Sequence, residues 1–259
     1  MSEIVQHPTA IVSGKAKIGS GVKIGAYSII QDDVEIGNDT EIRNNVTIAN
    51  GARIGKDNVI CTGVVIATEP QDLKFGGEIT YAIIGDRNVI REYATVNRAT
   101  KATGKTIVGS DCFLMAYTHV AHDCRVGNYI VMANVAHLGG HVMVEDYAII
   151  GGIVKVHQFC RIGCHTMIGA DVKLVKDVPP YTLVGNNPPK IDGINKIGLK
   201  RRGFTHDSIT EIESFYIKLN HSGLNVSDGI AEFKKRANLT QEVLHCIEFI
   251  ESSPRGILR

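Results

Sequence analysis

The sequence predicts a parallel β-helix of very short stacked strands followed by a small α-helical domain, and three observations carry that prediction. Of the 28 positions at every sixth residue from Val12 to Leu174, 25 are Val, Ile, Leu or Met, the exceptions being Asp72, Glu78 and Ala102. The next position is often glycine, as at Gly19, Gly25, Gly37, Gly55, Gly85, Gly109, Gly127, Gly139, Gly151, Gly163 and Gly169. The pattern stops at Asp177-Val178-Pro179-Pro180, and apolar positions beyond it take helical spacing.

Each part of the unit has a physical reason. A period of 3.6 would smear the every-sixth positions around a helix, and strict alternation would not fix them, whereas six residues suit a two-residue strand plus a turn. Four residues after each aliphatic residue comes a second restricted site, small or β-branched, as at Val22, Ser28, Val34, Thr40 and Val46 and later at Cys112, Thr118, Cys124 and Cys160. Glycine is expected to supply the turn's positive φ. Such a unit cannot bury its apolar face alone and must stack on copies of itself. This pattern resembles the hexapeptide-repeat proteins. The resemblance implies a left-handed parallel β-helix of triangular section, with three strands and 18 residues per coil. Residues 18 apart should then lie one above another, and nine coils at ~4.8 Å make a prism ~45 Å long.

The expected prism domain is 1–187, interrupted by loops near 68–82 and 97–105 that return in register, and the expected helical domain is 188–259. Loops leaving a rigid scaffold more often carry function than the scaffold does. In the tail, Thr205 and Asp207 can cap a helix bearing Ile209, Ile212, Phe215, Tyr216 and Leu219. Ser227 precedes another with Ile230, Phe233 and Ala237, and Thr240 a third with Val243, Leu244, Ile247 and Ile250.

Composition fits and excludes. The 259 residues include 27 Gly, no Trp and 6% aromatics, yet 44% are hydrophobic, so the core is aliphatic and the chain is not disordered. A formal charge of +1 argues against a bulk-electrostatic nucleic-acid binder. No signal-like N-terminus and no apolar run near the ~20 residues of a membrane span occur, so a cytoplasmic protein without membrane insertion is expected.

The six cysteines form no CxxC pair, and Cys112, Cys124 and Cys160 occupy the small inward site, so buried free thiols are expected. Seven of ten histidines fall between 119 and 206. Stacking by 18 puts His119 beside His137, Asp123 beside His141, His122 beneath Gly140, and Gly140 beneath Gln158. Read from residues alone, the cluster suits three things: a zinc site like that of γ-class carbonic anhydrases, a histidine general base in acyl transfer, or a solvated histidine ladder.

The surrounding motifs discriminate. Thr118-His119-Val120-Ala121-His122-Asp123-Cys124, Gly139-Gly140-His141 and Val156-His157-Gln158-Phe159 strongly resemble the bacterial UDP-N-acetylglucosamine O-acyltransferases. So do Pro70-Gln71-Asp72-Leu73-Lys74, Lys176-Asp177-Val178-Pro179-Pro180-Tyr181 and Gly198-Leu199-Lys200-Arg201-Arg202-Gly203-Phe204, so the likeness spans essentially the whole chain. It implies transfer of a 3-hydroxyacyl group from acyl carrier protein to the glucosamine 3-hydroxyl of UDP-N-acetylglucosamine, the first step towards lipid A. It implies His122 as base, Asp123 as the carboxylate orienting it, and the Gly140 amide as oxyanion donor. It implies substrate contacts from Gln71, Asp72, Lys74, His141, His157 and Gln158, and nucleotide contacts from Asn195, Arg201 and Arg202. It places the end of the acyl groove near Ala170 and Lys173. It implies a homotrimer, no metal, and no cofactor beyond the carrier protein's phosphopantetheine. A 3-amino UDP-sugar is the alternative acceptor, and the zinc enzyme a more distant one. Two departures stand out: Ile197 where the family commonly has glutamate, and Asn97-Arg98-Ala99-Thr100 where it usually has His-Arg-Gly-Thr.

Overall fold

The computed structural model describes residues 4–221, 225–236 and 238–259, so Ala237, expected on a helix, lies outside the described residues. From Val5 to Leu174, parallel strands of two to four residues follow one another at the six-residue interval and visit three sheets in rotation. Each strand therefore pairs with the next coil and not with its sequence neighbour. Lys17 pairs with Glu35, His119 with His137, and Lys155 with Lys173. Across the loops the offset grows and the register survives: Val65 pairs with Thr95, and Thr95 with His119.

The aliphatic series points inward. Ile30, Ile48, Ile66, Val96, Val120 and Leu138 form one column, none more than 1% exposed. Burying each such side chain contributes about 1.5–3 kcal/mol. The second inward site holds polar groups only where the coil satisfies them; the Ser28 hydroxyl, for example, donates to the Arg43 carbonyl at 2.7 Å.

The repeat glycines do a different job from the one expected of them. Positive φ falls two residues later, at Tyr27, Asp39, Asn45, Asp57, Tyr93, Asp123, Tyr129 and their equivalents. Gly37, directly after its strand, is needed for close approach. A Cβ there would lie 2.6 Å from the carbonyl carbon of Gly55 in the next coil. Most left-handed corners are thus taken by Asp, Asn and ring-bearing residues, with Arg87, Val135 and Ile153 as exceptions, and the rings stack outside the prism: Tyr93 on Tyr117 at 5.2 Å, Tyr129 on Tyr147 at 4.6 Å.

The expected boundary at 187/188 falls in a turn. Thr182–Gly185 pairs in parallel with Met167–Ile168, and Lys190–Ile194 returns antiparallel to it, extending the largest sheet to eleven strands. Among the described residues four helices follow: α1 (Lys196–Arg201), α2 (His206–His221), α3 (Val226–Lys234) and α4 (Gln241–Glu251). Thr205 caps α2 through the Ser208 amide at 3.1 Å. The cap of α3 is Asn225, which accepts from the Asp228 amide at 2.9 Å, and Ser227 lies inside the helix. Thr240 precedes α4 without a side-chain capping bond. Large rings absent from the prism interior gather in the helices' own core, where Phe215 meets Phe233 edge-on at 5.0 Å. Arg161 on the prism covers the Phe249 ring at 4.2 Å, and Asp177 accepts from the Ser253 hydroxyl at 2.5 Å. All six cysteines are free, and only Cys164 is not buried. Among the described residues no helix is long and apolar enough to cross a membrane.

Candidate active site

The nine-stranded sheet carries an outward column of Thr95, His119, His137, Lys155 and Lys173, one residue per coil. The Thr95 hydroxyl lies 2.7 Å from His119 Nδ1, and burial, reinforced by neighbouring histidines, pushes the His119 imidazole down to about 4. His119 is therefore neutral and fixed, unlike a member of a solvated ladder.

At the corner following His119 the chain turns through Asp123, whose φ is 62°. Asp tolerates this left-handed geometry better than most residues. An outward side chain is expected at this repeat position, yet Asp123 has no exposed side-chain surface. The second loop covers it. Thr100 donates its amide (3.2 Å) and hydroxyl (2.8 Å) to Oδ2, while Thr103 donates its amide (3.2 Å) and its hydroxyl to Oδ1. Burial alone would raise this carboxyl; the donors outweigh it and hold Asp123 below the usual carboxylate range. The loop is itself anchored. Asn97 Nδ2 bonds Thr68 Oγ1 at 3.1 Å and the Glu69 carbonyl at 3.0 Å, and Arg98 covers the Phe75 ring at 5.3 Å. Thr100 and Thr103 escaped the sequence reading; the only signal was a pair of hydroxyls three apart in a loop that returns over the prism.

The fifth donor to Asp123 is His122, whose Nδ1 stands 2.8 Å from Oδ2. An ionised carboxylate only accepts, so Nδ1 carries the proton and Nε2 presents a lone pair. His122 is 12% exposed at its side chain, and its ring lies against Gly140 of the next coil. A Cβ on residue 140 would sit 2.7 Å from Nε2, so only glycine allows this approach. The Gly140 amide has no acceptor among the described residues. At a different edge of the prism the amide at this repeat position is occupied: Ser110 N–H donates to Asn128 Oδ1 at 2.9 Å, and Asn128 N–H to Asp146 Oδ1 at 2.8 Å. A lone pair and an unoccupied N–H thus face the same space.

That space is a groove of about 500 Å³ lined by Gln71, His119, His122, Gly140, His157 and Gln158 among others. A second stretch of about 600 Å³, lined by Gln71, Tyr93, Tyr117, His119 and His137, lies beside it. His141 stacks on Phe159 at 4.5 Å, with Nε2 3.7 Å from Asp123 Oδ2. Asp72 accepts from the Lys74 amide at 2.9 Å within the first loop, whose Leu73 is wholly exposed. Lys173 continues the histidine column, and Ala170 is exposed at the strand-to-strand corner before it.

Asn195, Arg201 and Arg202 are not brought to this corner. Asn195 is 7% exposed and caps α1, accepting from the Gly198 amide at 3.1 Å while donating to the His165 carbonyl at 2.9 Å. Arg202 covers Tyr147 at 5.2 Å on a different edge, with a buried Nη1 that has no partner among the described residues. Ile197 is 68% exposed on α1.

His122, Asp123 and His141 lie close enough to share a cation. The donor set argues otherwise, since the carboxylate already accepts five hydrogen bonds and His122 Nδ1 is committed to it. His119 and His137 sit in the sheet column and supply no third imidazole there.

A coiled prism of six-residue units with a histidine–carboxylate pair on its wall defines a hexapeptide-repeat transferase. A family model for six bacterial transferase hexapeptide repeats matches residues 15–50, and one for domain 2 of UDP-N-acetylglucosamine O-acyltransferase matches 177–258. An acyl-[acyl-carrier-protein]–UDP-N-acetylglucosamine O-acyltransferase of Xanthomonas oryzae pv. oryzae is 47% identical, over 98% of this chain and 97% of the relative. The solved UDP-N-acetylglucosamine acyltransferase of Bacteroides fragilis superposes with a TM-score of 0.96 at 42% identity, covering 98% of this chain and 99% of that one. The Arabidopsis UDP-N-acetylglucosamine acyltransferase does so at 0.86 and 31%, covering 98% and 100%. The chain belongs to the UDP-N-acetylglucosamine O-acyltransferase family: it is an acyltransferase built on a left-handed parallel β-helix.

Proposed function

We propose that this chain transfers a 3-hydroxyacyl group from acyl carrier protein to the glucosamine 3-hydroxyl of UDP-N-acetylglucosamine, with His122 as general base. The observation that carries the reading is the juxtaposition of His122 Nε2 with the unoccupied Gly140 amide over one groove. The sugar hydroxyl gives its proton to Nε2 as its oxygen attacks the thioester carbonyl carbon. The Asp123 carboxylate stabilises the imidazolium that forms, and the Gly140 N–H receives the developing oxyanion. Collapse breaks the carbon–sulfur bond, and His122 returns its proton to the departing thiolate. The balance closes without an acyl-enzyme, a metal or a cofactor. Names of the relatives support the donor and acceptor.

Gln71, Asp72, Lys74, His141, His157 and Gln158 would line the sugar and thioester subsites, and Ala170 and Lys173 the far end of the acyl groove. Arg201 and Arg202, on another edge, would serve a site formed with a neighbouring prism, which accords with a homotrimer. Arg offers paired donors to a diphosphate. On this reading the protein would act at the first step of lipid A synthesis, in the cytoplasm.

His122→Ala should lower kcat ~10²–10⁴-fold with the assembly intact. Wild-type turnover in that variant would remove His122 as base. Offering UDP-N-acetylglucosamine and its 3-amino analogue, each with a panel of acyl carrier protein thioesters, decides the acceptor and the chain length together.

A further inference from the structure

One side chain departs from the rules of the repeat on an edge of the prism, and a cysteine outside the inward sites stands beside it. In the column Gly37, Gly55, Gly85, Gly109, Gly127, 145, Gly163, close coil approach demands glycine, and only position 145 breaks it, with a glutamate. Cys112, Cys124 and Cys160 fill inward sites; Cys164 stands two residues after an aliphatic position, outside the prism, and is half-buried. The strands preceding the two are adjacent, Met143 pairing with Arg161. Onto this spot α4 lowers His245, whose Nε2 reaches Glu145 Oε2 at 2.8 Å; that oxygen also accepts from the Cys164 amide at 2.9 Å, and no bond to Oε1 occurs among the described residues. The carboxylate oxygen, the thiol sulfur and an imidazole nitrogen all lie within 4.8 Å of one another.

We propose that Glu145, Cys164 and His245 form a divalent-cation site of borderline softness, best matched to zinc, that joins the prism to the helical domain. The set supplies one sulfur, one nitrogen and one oxygen, and half-exposed side chains leave a fourth position open to water. Tetrahedral zinc holds its ligand atoms roughly 3.3–3.8 Å apart, so the imidazole and carboxylate, now 2.8 Å apart, must part slightly. The site is separate from His122 and from acyl transfer. Its effect is structural, because a bound ion ties α4 to two consecutive coils and stabilises the folded state.

Cobalt(II), titrated into chelator-washed full-length protein, reads the site by its sulfur-to-cobalt charge-transfer band. One equivalent should bind with that band, and zinc should displace it and raise the thermal midpoint. Cys164→Ser should lose the band and the zinc-dependent rise. Glu145→Gln, close in shape, should weaken binding by more than the ~10–100-fold worth of a group that merely supports a ligand. His141→Ala, in the other cluster, should keep the band. The proposal falls if wild type shows no such band, if Cys164→Ser retains it, or if His141→Ala abolishes it. His245→Gln, at a partly exposed position, gives an independent reading should Cys164→Ser fold poorly, and an unchanged band there also overturns the proposal.

Discussion

The loop over Asp123 gives the most exposed quantitative test, because removing a hydroxyl three residues past Thr100 should cripple a histidine it never touches. Thr103→Val conserves shape and deletes one charge-assisted donor to Oδ1, leaving that oxygen only the Thr103 amide. A hydrogen bond to a charged group is worth about 1.5–3 kcal/mol. Asp123 has no exposed side-chain surface, so water cannot readily replace the lost donor. Stability at neutral pH should fall by that amount, roughly 3–12 °C in thermal midpoint at ~2–4 °C per kcal/mol. The same energy caps the kinetic effect: a less firmly held carboxylate orients His122 less well, lowering kcat by up to ~10–150-fold with KM little changed. Thr100→Val should be milder, since Oδ2 keeps the Thr100 amide and His122.

The pH dependence fixes the sign. The folded-state carboxyl titrates below its unfolded value, so its contribution is present above ~3.9 and is lost as pH falls through the folded value. The Thr103→Val deficit should therefore be full at pH 7 and shrink in acid. Thermal scans across pH with steady-state kinetics measure both. Wild-type kcat and midpoint in Thr103→Val, or a deficit that stays constant into strong acid, would refute the clamp.

Three further outcomes follow from the geometry. Gly37→Ala should cost about 1–3 kcal/mol because its Cβ would meet the Gly55 backbone at 2.6 Å, whereas Gly14→Ala, with nothing within 4 Å, should be neutral or gain ~0.4–1 kcal/mol; thermal midpoints compare them. His119 is held near about 4 by burial, so the unfolded chain takes up its proton first as pH drops, and stability should be lost between ~6.5 and about 4. His119→Gln should flatten that part of the stability–pH curve, and an imidazole NMR titration midpoint near 6.5 in the wild type would count against it. Metal-free native protein should offer one rapidly reacting thiol, Cys164, to an aromatic disulfide reagent, the buried remainder reacting only on unfolding; burial pushes Cys124 up to about 12.

How much of this the sequence disclosed depends on which repeat position is asked about. Positions 0 and 4 of the six-residue unit face inward, and position 1 is squeezed by the next coil, so composition there is dictated and the prism could be read directly. The cause of the glycines is nevertheless not legible there, because composition cannot separate a positive φ from close approach; both demand the same residue, and only contacts such as the Cβ approach at Gly37 decide. Positions 2, 3 and 5 are left free by the fold. His122, Gly140 and Gln158 stand at 2, Asp123 and His141 at 3, His119 and His137 at 5. Stacking by 18 therefore predicted which of these would meet.

Stacking could not predict the loop's contribution. Asp123 occupies a left-handed corner, as do Asp39, Asp57 and Asp111, and at those sites aspartate needs no further explanation. What sets Asp123 apart is a segment outside the repeat folded back onto it, and a repeat has no register rule for such residues. The same reasoning bears on the departure at Asn97-Arg98-Ala99-Thr100. Its first two residues anchor the loop to Thr68, Glu69 and Phe75, and its last bonds Asp123. Of the two altered residues, Asn97 anchors the loop and neither it nor Ala99 donates to the carboxylate, while the anchor Arg98 and the donor Thr100 are unaltered. Exchanging Asn97-Arg98-Ala99 for His-Arg-Gly should therefore shift loop stability and leave the Asp123–His122 pair intact; a collapse in kcat comparable to that of Thr103→Val would mean the segment acts on the carboxylate more directly than its contacts indicate.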